Sequence, residues 1–308
     1  MFRMRIVFLG TGGTIPTERR KHPTLAIRRE GELFLFDCGE GAQTQIFKAR
    51  LGIAPLRAIL VSHLHGDHVL GIPGLLMTMS QTDRSEPLTV IGPPGVAKWI
   101  RHIREDLAFR PSFKISVTEV QHGPVFVNPQ YEICAFSLEH STITLGYCFQ
   151  ESKRPGRFRV DEALRLGVPR GPLWGQLQSG VAVRLVGGEE IHPHQVLGPP
   201  RAGIKIIYAV DTRPSRRTVE AAHGADLLIH DGMFLSEDLD KATSRGHSTA
   251  TEAAQVAVDS RAKRLALTHV SPRYRGEEDR LLKEASAVFS ETIIAEDLME
   301  IEVHPDEG

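Results

Sequence analysis

The chain lacks the features that would place it in a membrane or in an oxidising compartment. No apolar run approaches the ~20 residues needed to cross a bilayer. The start, Met1-Phe2-Arg3-Met4-Arg5, leads into a short strand-like run and a Gly-rich turn, with no signal-peptide layout. Only three cysteines are present, Cys38, Cys134 and Cys148; scattered and odd in number, they argue against a disulfide framework and for a reducing compartment. Charge of one sign is also missing: 37 Lys and Arg face 38 Asp and Glu, a net charge of −1. Any nucleic-acid-binding surface must therefore be local. There is no fixed-period repeat and no low-complexity tract. The expectation is a soluble, cytoplasmic, globular protein with no membrane partner.

At 308 residues, 41% of them hydrophobic, there is material for one large core, or for one core and a small appendage. Short β-branched and aliphatic runs recur at residues 5–9, 33–36, 58–61, 88–91, 133–137, 204–210, 227–229 and 265–268. Helical patterns at 96–107, 248–259 and 277–289 lie between some of them. Strands mixed with helices of this length indicate a layered α/β architecture, sheet covered by helices. Residues 151–184 break the composition. They hold seven Lys and Arg against three acids, net +4, with many Gly and Pro and one of the two tryptophans, Trp174. A charge run is ordinarily a solvated loop, but a long loop with no strand pattern of its own is commonly functional.

The strongest motif is Ser62-His63-Leu64-His65-Gly66-Asp67-His68, directly after the apolar run 58–61. Alternation along an extended end points His63 and His65 to one side. Gly66 permits a turn that swings Asp67 and His68 toward the same point. Three imidazoles and a carboxylate form a mixed N/O donor set suited to zinc or a similar first-row ion. Without a cation, so many titratable groups could not satisfy one another. Three further candidates, His140, Asp211 and His269, each stand just past a strand-like run, where sites assemble in layered α/β folds. Alone, each has an ordinary structural reading. Together the set has seven members, one short of two four-coordinate ions unless a carboxylate bridges. Asp211 is the natural bridge, since a carboxylate has two oxygens. Two ions at a spacing of about 3.5–4 Å are the arrangement of two-metal phosphoester hydrolases.

This pattern resembles the metallo-β-lactamase superfamily. Further segments resemble one of its families, ribonuclease Z (tRNase Z): Phe8-Leu9-Gly10-Thr11, Asp37-Cys38-Gly39-Glu40-Gly41, His65 to His68 running into Gly71-Ile72-Pro73-Gly74-Leu75-Leu76, Gly246-His247-Ser248-Thr249, and Thr268-His269-Val270-Ser271-Pro272-Arg273-Tyr274. The resemblance implies a metallo-β-lactamase fold, an αβ/βα sandwich of two mixed sheets flanked by helices. Residues 1–150 and 185–308 would form that domain, and the basic segment 151–184 a protruding tRNA-binding arm. It further implies two zinc ions per chain: His63, His65 and His140 on the first, Asp67, His68 and His269 on the second, Asp211 on both. Asp67 would be the general base, and His247 would protonate the leaving 3′-oxygen, oriented by a carboxylate. Where the family motif carries Glu, this sequence carries Asp231, one methylene shorter; Lys21 likewise stands where Asn is usual in the loop 16–21. RNA contacts are expected from Lys153, Arg154, Arg157, Arg159, Arg170, Gly171 and Pro172 of the arm, and from Arg273.

The implied activity is zinc-dependent endonucleolytic removal of the 3′ trailer from precursor tRNA by a cytoplasmic homodimer. Two other readings compete with it: a superfamily zinc hydrolase of small phosphodiesters or thioesters, and a non-catalytic RNA-binding scaffold. Gly10-Thr11-Gly12-Gly13-Thr14 lacks the Lys-Ser/Thr of a phosphate-binding loop and reads as a tight turn. Cys38, beside Asp37 and Glu40, reads as buried filler.

Overall fold

Period-two alternation decides which face of each strand meets a core. The computed structural model describes residues 4–305, so the outermost three residues at each end of the expected domain lie outside the described residues. In chain order the strands are β1 (Met4–Gly10), β2 (Thr24–Arg29), β3 (Glu32–Phe36), β4 (Leu56–Leu60), β5 (Leu88–Gly92), β6 (Ile115–Glu119), β7 (Gly123–Asn128), β8 (Tyr131–Leu138), β9 (Thr144–Glu151), β10 (Val183–Arg184), β11 (Glu190–Ile191), β12 (Lys205–Ala209), β13 (Leu227–Asp231), β14 (Leu265–Thr268), β15 (Thr292–Ile294) and β16 (Glu300–Val303).

Two seven-stranded sheets result, ordered β16-β1-β2-β3-β4-β5-β6 and β15-β14-β13-β12-β9-β8-β7. Both are mixed. In the first, β1 runs antiparallel to β16 and β2, whereas β3 to β6 are parallel. In the second, β12 to β15 are parallel, and β9 and β7 pair antiparallel with their partners β12 and β8. The inner faces meet in one core: Ile6, Phe8, Phe34 and Phe36 from one sheet, Tyr131, Tyr147, Phe149 and Ile229 from the other. Phe34 is boxed edge-on by Phe126, Tyr131 and Phe149, with centroids 5.3–5.8 Å away. Truncating such a ring to Ala costs about 3–5 kcal/mol. The alternate residues point outward. Val7, Leu35 and Ile59 pack under helices Ala42–Lys48, Gly71–Gln81 and Val96–Asp106, and Ile207, Leu228 and Leu267 under helices Arg216–Ala222, Ala250–Ser260 and Glu278–Val288. This is the αβ/βα sandwich expected from the sequence. No helix among the described residues is long and apolar enough to cross a membrane.

Residues Glu151–Gly203 form a second compact unit. The expected boundary at Arg184 is corrected, because β10 ends there only to pair with β11. The segment is also no structureless loop. Helices Val160–Arg165, Pro172–Gln178 and Pro193–Val196 and the β10–β11 hairpin bury Ala163, Val168, Leu177, Val183, Ile191 and Val196 in a core of their own. Over this span eight Lys and Arg stand against five acids, so the unit is net +3.

Candidate metal centre

The carboxyl ends of parallel strands leave backbone that must turn away, and side chains there converge. His63 and His65 follow β4, and Asp67 and His68 sit on the one-turn helix Gly66–Val69. His140 follows β8, Asp211 follows β12 and His269 follows β14. Asp211 and His269 turn the chain at positive φ, +53° and +59°. Such conformations cost on the order of 1 kcal/mol and tend to cluster at functional sites.

All seven expected ligands are brought together. Potential donor atoms of His63, His65, His140 and Asp211 lie within 4.8 Å of one another, and so do those of Asp67, His68 and His269. Asp211 is divided between the two sets. Its Oδ2 faces His63 Nε2 at 3.7 Å and His140 Nε2 at 3.9 Å. Its Oδ1 faces His68 Nε2 at 3.3 Å and His269 Nε2 at 3.1 Å. Asp67 Oδ2 lies 3.6 Å from both His68 Nε2 and His269 Nε2.

The donor chemistry fits cations. His68 Nε2, His140 Nε2, His269 Nε2 and Asp211 Oδ1 are buried and have no hydrogen-bond partner. Each buried orphan costs about 1–3 kcal/mol, and a positive ion at their focus removes the debt of all four. Ionisation agrees. Burial, reinforced by the neighbouring His68, pushes His63 down to about 2, which keeps it neutral. Burial works to raise Asp67 and Asp211, but the facing imidazoles outweigh it and hold both well below the usual carboxylate range.

A supporting layer, missed by the sequence reading, fixes these ligands. Asp37 follows β3 at φ +57° and is fully buried. It accepts from His68 Nδ1 (2.7 Å), the Ser62 amide (2.7 Å) and hydroxyl (2.8 Å), and the Tyr208 hydroxyl (2.9 Å). That commits His68 Nδ1 and leaves Nε2 for the site. The Thr14 amide donates to Asp67 Oδ2 at 3.0 Å, so the tight turn expected at Gly10–Thr14 also serves the site. Gly13 is required there: a Cβ would sit 2.7 Å from the His269 ring. His140 Nδ1 bonds the Gly246 carbonyl at 2.9 Å. Cys38 is fully buried, its thiol pushed up by burial.

Beside the two ligand sets lies His247, its ring stacked on His269 at 5.1 Å. Asp231, the last residue of β13, reaches it directly: Oδ2 lies 2.7 Å from His247 Nδ1. The shorter side chain suffices because the Thr212 amide (3.2 Å) and the Met233 amide (2.9 Å) hold its two oxygens in place. Burial lowers the His247 pKa, but the charge and hydrogen bond of Asp231 prevail and push it up to about 9.

Ribonuclease Z of Methanosarcina acetivorans is 45% identical over 300 residues, 97% of this chain and 98% of that protein. The chain belongs to the ribonuclease Z family. It is accordingly an enzyme, a nuclease. The crystal structure of the short form of human tRNase Z matches at TM-score 0.71 and 29% identity, over 96% of this chain and 98% of that one. A metallo-beta-lactamase fold protein of Bacillus subtilis, YhfI, matches at TM-score 0.68 and 20% identity, over 98% of this chain and 100% of that one, a likeness of fold. The family model for the anti-Pycsar protein Apyc1 matches residues 4–110, which include His63 to His68 but not His140, Asp211 or His269.

In this ribonuclease Z family chain the expected RNA-contact residues differ in exposure. Lys153, Arg157, Arg159, Arg170, Gly171 and Pro172 are exposed. Arg170 lies over the Trp174 ring at 5.8 Å, and Arg159 donates to the Gln195 carbonyl at 3.1 Å. Arg154 is committed to buried Glu151 by an ion pair. Arg273 is exposed, four residues after His269.

Proposed function

We propose that this ribonuclease Z family enzyme is a zinc-dependent endoribonuclease that cuts one phosphodiester at the 3′ end of precursor tRNA, leaving tRNA with a 3′-hydroxyl and a trailer with a 5′-phosphate. The observation that carries the reading is the division of Asp211 between two imidazole sets beside a carboxylate-backed His247. His63, His65 and His140 would hold one zinc ion, Asp67, His68 and His269 the other, and Asp211 both. When bound, such a pair supplies Lewis acidity and neutralises charge on a phosphodiester.

The chain's own residues handle the protons. Asp67, ionised and held at Oδ2 by the Thr14 amide, takes the proton of the attacking water, whose oxygen stays with the trailer phosphate. His247 has Nδ1 engaged by Asp231, which leaves Nε2 to protonate the departing 3′-oxygen. A pKa of about 9 keeps it charged at neutral pH. The net +3 unit 151–203, through Lys153, Arg157, Arg159 and Arg170 with Gly171 and Pro172, grips phosphates of the RNA, and such contacts position RNA without reading its sequence. Arg154 contributes while paired to Glu151, and the exposed Arg273, four residues after His269, adds a further phosphate contact. The enzyme works as a cytoplasmic homodimer, a state that sedimentation measures directly.

Incubation with precursor tRNA, followed by end-group analysis of both fragments, tests this reading. A 3′-hydroxyl on tRNA and a 5′-phosphate on the trailer are expected. Hydrolysis of bis(p-nitrophenyl) phosphate with intact precursor would select the small-molecule hydrolase. RNA binding without cleavage by zinc-loaded protein would select the scaffold.

A further inference from the structure

Arg213 stands two residues after the bridging Asp211, yet its side chain turns toward the loop that carries His247. Its Nη1 donates to the His247 carbonyl at 2.6 Å and to Glu252 Oε2 at 2.8 Å, and its Nη2 donates to Glu252 Oε1. Glu252 is not a free carboxylate. It closes the N-terminus of helix Ala250–Ser260, accepting the Thr249 amide at 2.9 Å while the Thr249 hydroxyl accepts the Glu252 amide at 3.2 Å. One residue back, the Thr212 carbonyl accepts the Ser248 hydroxyl at 2.5 Å. The Arg213 amide donates to the Glu139 carbonyl at 2.8 Å, one residue before His140. The strand end that delivers Asp211 therefore grips the backbone of His247 and the side chain of Ser248 through two successive residues.

Asp231 and Arg213 do different work on His247. Asp231 touches the ring and sets its rotation through Nδ1. The carbonyl that Arg213 holds fixes where that ring is attached. A guanidinium is suited to this because its planar fork can serve a carboxylate and a carbonyl together, and a lysine ammonium cannot match that geometry. Arg213 and Glu252 are both roughly a quarter exposed at the side chain (22% and 24%). An ion pair near the surface contributes only about 0–1 kcal/mol, so stability alone does not explain a three-acceptor clamp ending on this carbonyl.

We propose that Arg213 is a positioning residue that, braced by Glu252, holds the His247 imidazole on the leaving oxygen. The inference rests on the reading of His247 as the proton donor. A misplaced donor matters for a poor leaving group, such as an RNA 3′-oxygen, and matters little for p-nitrophenolate, which leaves without a proton. The readout is thus the ratio of kcat on precursor tRNA to kcat on bis(p-nitrophenyl) phosphate, measured on zinc-loaded protein with zinc content and thermal unfolding checked for each variant. Arg213→Met is expected to lower that ratio on the order of 10–10²-fold, part of the 10²–10⁴-fold that a general acid supplies. The KM for RNA should stay within about 3-fold of wild type, and Arg213→Lys should recover part of the loss. In a His247→Ala background Arg213→Met should lower the ratio no further, because groups acting as one unit are not additive. Equal losses on both substrates, or additive losses in the double variant, would overturn the proposal. If His247→Ala lowers the ratio and Arg213→Met does not, Arg213 alone loses its role. If His247→Ala leaves the ratio at the wild-type value, the proton-donor reading fails and takes this proposal with it.

Discussion

Replacing Asp231 with Asn removes one buried negative charge and little else. The side chain keeps its length, and its oxygen can still accept from the Thr212 or Met233 amide. What disappears is the carboxylate 2.7 Å from His247 Nδ1, the principal reason that the imidazole stands at about 9 and not at its ordinary 6.5. Each pH unit corresponds to about 1.4 kcal/mol, so the site as a whole, burial included, favours the charged imidazole by roughly 3 kcal/mol. Because the folded pKa lies above the unfolded one, that contribution is complete below pH 6.5 and is lost as pH rises through about 9. The same titration limits catalysis if His247 gives up a proton. Wild-type kcat on precursor tRNA should fall on the alkaline side with a midpoint near 9, and in Asp231→Asn that limb should move toward neutrality or below. The assay is kcat against pH, with thermal unfolding followed in parallel. An alkaline limb that stays near 9 in Asp231→Asn would refute the reasoning, because the carboxylate would then not be what keeps the imidazole charged.

Elemental analysis should find about two zinc ions per saturated chain, and Asp211→Ala, which strips an oxygen from each ligand set, should lower that number; one ion in both proteins would remove the bridged site. Gly13→Ala places a Cβ 2.7 Å from the His269 ring and should lower zinc occupancy without unfolding the sheets; normal zinc content would show that the ring can yield. Asp67→Ala should lose more than the roughly 10²–10⁴-fold of a single general base, since it also loses a ligand; a mild loss with full zinc would deny it both roles. Replacing residues 151–203 with a short Gly/Ser linker should raise the KM for precursor tRNA and flatten its dependence on salt, as counterion release requires, while bis(p-nitrophenyl) phosphate hydrolysis persists. Unchanged tRNA cleavage by that protein would leave the unit with no RNA role.

Shielding on both faces helps make a strand legible in the sequence but does not decide it. β2 and β9, largely buried, mix Thr, Arg, Gly and Gln with their apolar residues and are missed by the sequence reading, whereas residues 133–137 of the partly exposed β8 are found. β13 is buried at every position and reads as Leu227-Leu228-Ile229 with no polar interruption. β6 and β7, at the edges of their sheets, are half-exposed along their length and mix Ser, Thr, Pro and Asn with their apolar residues, so neither periodicity nor a continuous run marks them. Helix Gly71–Gln81 opens Gly-Ile-Pro-Gly, poor helix formers. It forms because Ile72, Leu75, Leu76 and Met79 are all buried against the first sheet, a tertiary gain that propensity cannot anticipate. The second unit was misjudged for a related reason. Its six core residues are spread over 34 positions, from Ala163 to Val196, with no common period, and only folding brings them together.

The metal centre divides along the same physical line. His63 to His68 announce themselves because imidazoles and a carboxylate at short spacing have no cheap way to be buried without a cation. His140, Asp211 and His269 become candidates because each follows an apolar run, and strand ends are where layered folds gather chemistry. Nothing comparable marks their supports. Asp37 lies 31 residues before the His68 nitrogen that it holds, and Arg213 lies 39 before the Glu252 that braces it. In the sequence Asp37 stands within a segment that resembles the family but shows nothing of what it holds, and an arginine before Pro214 is indistinguishable from any charged residue at a turn. Their importance is geometric. Asp37 matters because four donors reach one carboxylate that is fully buried and has no water to turn to. Such a group cannot be replaced by one of similar charge at a neighbouring position, since its donors come from Ser62, His68 and Tyr208, on three different segments. A metal ligand can therefore be nominated from its own chemistry, whereas a support can be nominated only once the distances between segments are known.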